Sequence, residues 1–122
     1  MATLGMSEAE REAIARFERD VINPSMTGLV ILQFTATWCG PCKQLNPILD
    51  KVVADYAAKG VTLARIDVDQ DKLVAAQFRI QSVPTVYALF QGQPVADLTA
   101  YRTEGQLKSA LDQLLAQLPA SG

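Results

Sequence analysis

Cys39 and Cys42 are the only cysteines in the 122 residues. They stand at i and i+3 in Thr37-Trp38-Cys39-Gly40-Pro41-Cys42-Lys43. Two thiols so placed can cycle between dithiol and disulfide, since an i, i+3 pair in a helical turn holds its Cα atoms roughly 5–6 Å apart, within disulfide range. The apolar run Leu29–Phe34 precedes the motif and a long helical pattern follows it. A strand therefore delivers Cys39 to the amino end of a helix, where unpaired N–H groups and the helix dipole favour negative charge. A thiolate is stabilised there, so Cys39 is expected to have a depressed pKa and to act as nucleophile. Cys42, one turn later, is placed to attack a mixed disulfide on Cys39 and release the bound partner. Gly40 lets a partner backbone approach, and Pro41 starts the helix where a missing N–H costs nothing.

Other chemistries fit less well. Histidine is absent, which removes Cys–His and Ser–His–Asp catalysis and any histidine metal ligand. Half of a metal site shared across a dimer would need ligands from a second chain and would leave the proline and the helix start without a purpose. We expect no metal. A purely structural disulfide would close a loop too short to constrain the chain much. Net charge is −2 with no basic run, which gives nucleic-acid binding no electrostatic support. No apolar stretch approaches the roughly 18 residues of a membrane span. Met1-Ala2-Thr3-Leu4-Gly5 lacks the basic-then-apolar form of a secretory signal, so a cytoplasmic location is expected unless a leader has already been removed.

The length suggests one domain, with 49% hydrophobic and 20% charged residues, as in ordinary globular chains. Ser7-Glu8-Ala9-Glu10 has the form of a capping box, and Ile14, Phe17 and Val21 make one apolar stripe of the helix it opens. Asn23-Pro24-Ser25 is expected to end that helix. Leu29-Val30-Ile31-Leu32 reads as a central strand buried on both faces, interrupted by Gln33. A helix over about 39–56 buries Leu45, Ile48, Leu49, Val52, Val53 and Tyr56 and carries Pro47 inside it. A strand over 61–68 and a short helix over 72–78 follow. Thr85–Phe90 and Pro94–Leu98 flank Gln91-Gly92-Gln93 as a hairpin. Thr103-Glu104-Gly105-Gln106 opens a last helix with a Leu107, Leu111, Leu114, Leu118 stripe. The domain core is placed at 28–118, with 1–27 as an opening segment of the same domain and 119–122 as a tail or linker start.

Trp-Cys-Gly-Pro-Cys-Lys in this setting, with Ser82-Val83-Pro84-Thr85 downstream, resembles the thioredoxin family over about 28–118. The resemblance implies an α/β thioredoxin fold, a mixed central sheet flanked by helices. Few residues precede Ser7, so the family's first edge strand would be short or missing. It also implies a cis bond before Pro84, which faces the cysteines, and a docking surface made by Trp38, Gly40, Pro41, Val83 and Pro84. Gln33 stands where family members commonly carry a buried acid that assists proton transfer at Cys42. Arg65 stands where they often carry a lysine paired with that acid, Thr35 where many have tryptophan, and Ala100 where glycine is usual. These differences mark Gln33, Arg65 and Ala100 as possible modulators. An amide can donate and accept hydrogen bonds but cannot exchange a proton near neutral pH; the alternative for Gln33 is a satisfied polar residue with no catalytic part.

The activity implied is reduction of protein disulfides by a monomer that binds no cofactor. Electrons would come from NADPH and FAD through a thioredoxin reductase. The region from Lys72 to Val95, with the charged opening helix, is also similar to the amino-terminal thioredoxin domains of chaperone-type proteins carrying tetratricopeptide repeats. In that case the chain is part of a longer one with helical repeats and guards client thiols by mixed disulfides.

Overall fold

The computed structural model describes residues 7–119. Its elements are α1 (Glu8–Phe17), a π turn (Glu18–Ile22), α2 (Asn23–Ser25), β1 (Leu29–Thr35), α3 (Gly40–Asp55), β2 (Val61–Asp67), α4 (Lys72–Gln77), β3 (Thr85–Phe90), β4 (Gln93–Asp97) and α5 (Glu104–Gln117). The strands form one sheet in the order β2-β1-β3-β4. β1 and β2 are parallel, whereas β3 runs antiparallel to β1 and to β4. This is the mixed, helix-flanked sheet expected. Among the described residues no strand precedes α1; the expected short first edge strand would fall on residues 1–6, outside the described part, as residues 120–122 of the tail also do. No helix among the described residues is long and apolar enough to cross a membrane.

β1 is buried along its length because its side chains alternate between two cores. Leu29 and Ile31 join α3, α5, Val86, Ala88 and Phe90 on one face. Val30, Leu32 and Phe34 join Val21, Val74 and Leu89 on the other. There Phe78 meets Phe17, Phe34 and Tyr87 at ring-centroid distances of 5.8, 5.2 and 6.0 Å. Gln33 shares the α3 side of β1 with Leu29 and Ile31, and this places an amide under the active helix.

Two turns differ from the sequence expectation. The first helix does not end at Asn23-Pro24-Ser25 but runs through it. Pro24 has no N–H to give the preceding turn, and the helix absorbs this by widening: the Asn23 N–H reaches back to the Glu18 carbonyl in the π turn. Ser25, fully buried, then ties the helix to the hairpin, its carbonyl accepting from Gln91 N–H at 2.6 Å and its Oγ from Gly92 N–H at 2.9 Å. The hairpin loop itself is two residues rather than three. Gln91 and Gly92 both have positive φ, the geometry whose twist matches paired strands. Gln93 consequently joins β4, and Pro94 sits on that edge strand, where no ladder N–H is demanded of it.

The other boundaries follow from capping. Ser7 and Thr103 each complete a reciprocal capping box, with Glu10 and Gln106. α3 and α5 are joined by four charges: Lys51 contacts Asp55 at 3.2 Å and Glu104 at 3.0 Å, and Lys108 contacts the same two at 2.9 and 3.0 Å. Lys108, and after it Lys51, hold the Asp55 and Glu104 carboxyls below the usual carboxylate range. Both ammonium groups are in turn raised. A lowered carboxyl contributes stability above its unfolded pKa and loses it as pH falls through the folded one; a raised ammonium contributes below its unfolded pKa and loses it as pH rises. The cluster therefore supports the fold fully between the ordinary carboxylate and ammonium values of 4.5 and 10.5. Urea unfolding should give a flat midpoint from about pH 6 to 9 and a fall below about pH 4, with a shallower acid fall in Lys108→Met. The same acid slope in both proteins would remove the cluster from the explanation.

Candidate active site

The redox motif is the junction between β1 and α3. Cys39 is the N-cap of α3, with extended backbone, and its Sγ accepts the Cys42 N–H at 3.1 Å. Gly40 and Pro41 occupy the first helical positions, where proline removes no bond the helix needs. The two sulfurs are bonded as a disulfide with their Cα atoms 5.3 Å apart, within the expected separation. Both are buried, Cys39 at 3% exposure and Cys42 at none. Ala36, Val68 and Val83 pack around the pair.

The Val83–Pro84 bond is cis, and Val83 is brought against the cysteines while Pro84 is buried behind it. Gly40 and Pro41 are exposed. Trp38 is the most exposed large apolar side chain described, at 68%. Its ring is nevertheless anchored, since Nε1–H donates to Asp69 Oδ2 at 2.8 Å. Parallel pairing of Thr35 with Asp67 carries the turn after β2 up beside the motif. Ala100 lies exposed in the turn that follows β4 and is not among the residues packed on the sulfurs.

Gln33 is fully buried and faces Arg65 across β1 and β2. Its Oε1 accepts from Arg65 Nε at 2.6 Å, and its Nε2 donates to Asn46 Oδ1 at 2.7 Å. Arg65 also donates to the Asn46 carbonyl at 2.9 Å and pairs with Asp50 at 2.9 Å. Asn46 lies at i+4 from Cys42, one turn along the same face of α3. The network therefore meets α3 one helical turn beyond Cys42. Every buried side-chain polar atom described has a partner. Among the described residues the only buried polar ones are Ser25 and Gln33, and neither ionises near neutral pH.

Asn46, Asp50 and Asp69 were not among the residues the sequence singled out. Asn46 had a signal: it is a polar residue between Leu45 and Leu49 on an otherwise apolar face. Asp69 had one too, because parallel strands of equal length bring the ends of β1 and β2 together. Among the described residues no group of three or more histidines, cysteines or acids is placed to hold a metal ion.

Comparison with known proteins agrees with the geometry. The family profile described as Thioredoxin matches residues 9–113. Proteins named Thioredoxin from Staphylococcus aureus, strains Mu50 and COL among them, are 37% identical over 89 residues. The match covers 73% of this chain and 85% of theirs.

Proposed function

The chain belongs to the thioredoxin family and is a thiol–disulfide oxidoreductase, and from that premise we propose that it works as a protein-disulfide reductant in which Cys39 attacks and Cys42 resolves. The observation that carries this division of labour is the N-cap geometry. Cys39 is the N-cap of α3 and its Sγ accepts a helix-terminal N–H, a position that favours a thiolate. Its thiolate displaces one sulfur of a substrate disulfide, so the Cys39–substrate bond forms, the substrate S–S bond breaks, and one substrate thiolate leaves. Cys42 loses its proton and attacks Cys39 Sγ. The Cys39–Cys42 bond forms and the second substrate thiol leaves. Two electrons have passed to the substrate.

Trp38, Gly40, Pro41 and Val83 make the docking surface in this reading, and the buried Pro84 holds Val83 in place through the cis bond. An extended peptide adds to the backbone near Val83 by a short β-pairing that asks little of its sequence. Electrons return from NADPH through a flavin-containing thioredoxin reductase, so no cofactor needs to reside in this chain. Gly40 and Pro41 put no charge between the sulfurs, which suits the reducing direction in a cytoplasmic setting. A second reading, as the client-holding domain of a longer chaperone-type chain, draws on Gln33. With no buried group to accept the Cys42 proton, mixed disulfides persist longer.

The test is NADPH oxidation in the presence of thioredoxin reductase, this protein and insulin. Sustained oxidation dependent on this protein is expected. A Cys39–Cys42 disulfide that forms yet drives no NADPH consumption would contradict the reductase-coupled role and favour the client-holding one.

A further inference from the structure

Beside the redox motif lies a small cavity that the exchange chemistry does not use. It is lined by Pro41, Gln44, Leu45, Ile48 and Arg102 and has a volume of about 120 Å³. Pockets that hold cofactors or drug-sized ligands run from roughly 300 to 1,000 Å³, so this one suits a single side chain. Pro41 adjoins Cys42 in sequence and is exposed, so a chain lying over Cys39 passes within reach of it.

Arg102 gives the cavity its charge. Its Nε donates to the Thr99 carbonyl at 3.1 Å, and its backbone N–H donates to Gln106 Oε1 at 3.0 Å. The side chain is thus anchored at its base. Among the described residues Arg102 takes part in no ion pair. The nearby acid in sequence, Glu104, is already held by Lys51 and Lys108. At Trp38, by contrast, the motif has an acid, Asp69, hydrogen-bonded to the indole. The site therefore has an acidic flank at Trp38 and a basic, uncompensated one at Pro41.

We propose that the cavity is a specificity subsite for an acidic side chain, glutamate or aspartate, flanking the target cysteine of a protein substrate. Its aliphatic stem rests on Pro41 and Ile48, and its carboxylate takes the terminal guanidinium nitrogens in the planar, two-bond manner that arginine favours. The assignment rests on the reading that Cys39 attacks substrate disulfides. Because the pair is partly exposed, its effect on selectivity is modest and salt-dependent, about fivefold.

The experiment compares two disulfide-bonded peptides identical except for glutamate or lysine close to the target cysteine. The quantity read is the ratio of their kcat/KM values within each protein. Wild type should prefer the acidic peptide about fivefold at low salt, mainly through KM, and lose the preference at high salt. Arg102→Gln should bring the ratio near one, and Arg102→Glu should invert it. A ratio that is the same in wild type and both variants overturns the subsite. Failure of wild type to reduce hydroxyethyl disulfide, which is uncharged, overturns instead the reading of Cys39 as the attacking thiol.

Discussion

Cys39→Ser abolishes disulfide reduction, to the background rate without protein, whereas Cys42→Ser leaves the first step intact and accumulates a covalent one-to-one adduct. The asymmetry follows from position. Cys39 is the N-cap of α3, and Cys42 is sealed beneath it with no exposed surface. A serine hydroxyl at position 39 keeps the N-cap bond, since serine is a favoured cap. It offers no nucleophile near neutral pH, so the loss reports chemistry and not folding. With serine at position 42, the substrate stays attached because no second sulfur can attack Cys39 Sγ. Nonreducing gel shift and intact mass separate the two variants. An adduct that forms on Cys39→Ser, or full turnover by Cys42→Ser, reverses the assignment of roles.

Gln33→Glu accelerates the second step. In the wild-type structure the Gln33 amide is held by Arg65 at 2.6 Å and by Asn46 at 2.7 Å, one helical turn from Cys42. It can move no proton, so deprotonation of Cys42 depends on solvent. Glutamate has the same length and keeps the contact with Arg65, and the Asn46 amide can turn to donate. A well-placed general base contributes about 10²–10⁴-fold. The arginine favours the ionised carboxylate and makes it a weaker base, so the expected gain is smaller, about tenfold in the rate of mixed-disulfide release at pH 7. The wild-type rate should rise steadily with pH through the thiol range, whereas the variant should reach its plateau earlier. Single-turnover release measured from pH 6 to 9 checks this. Equal rates and equal pH profiles would show that proton removal from Cys42 is not limiting, and Gln33 would then be only a satisfied polar residue.

Much of the fold was legible because its signals are local. The capping boxes at Ser7 and Thr103, the continuous apolar run of β1 and the stripe of α3 each follow from spacing alone. Pro24 was misread because proline after asparagine is ordinarily a stop. Only the packing of Val21 and the clamp from Ser25 to the hairpin show why the helix widens and continues. The hairpin was placed correctly but one residue too long, since Gln91 accepts a positive φ that its side chain does not advertise.

The site divides the same way. Cys39, Cys42, Gly40 and Pro41 declare themselves by type and order. The cis bond before Pro84 could come only from family resemblance, because an arbitrary X–Pro bond is cis about one time in twenty. Gln33 and Arg65 were singled out for departing from a family pattern, and the parallel register sets them face to face. Asn46 and Asp50, which complete their network, become relevant only when α3 lies across the sheet. That packing depends on contacts between distant segments, which spacing along the chain does not encode.

The most direct measurement is a rapid-quench reaction of the fully reduced protein with a disulfide-bonded peptide, alkylated at successive times and mapped by mass. The roles assigned here require a transient mixed disulfide on Cys39 that decays as the Cys39–Cys42 disulfide and two free peptide thiols appear together. A first adduct on Cys42, or an intramolecular disulfide that forms without releasing peptide thiols, would contradict them.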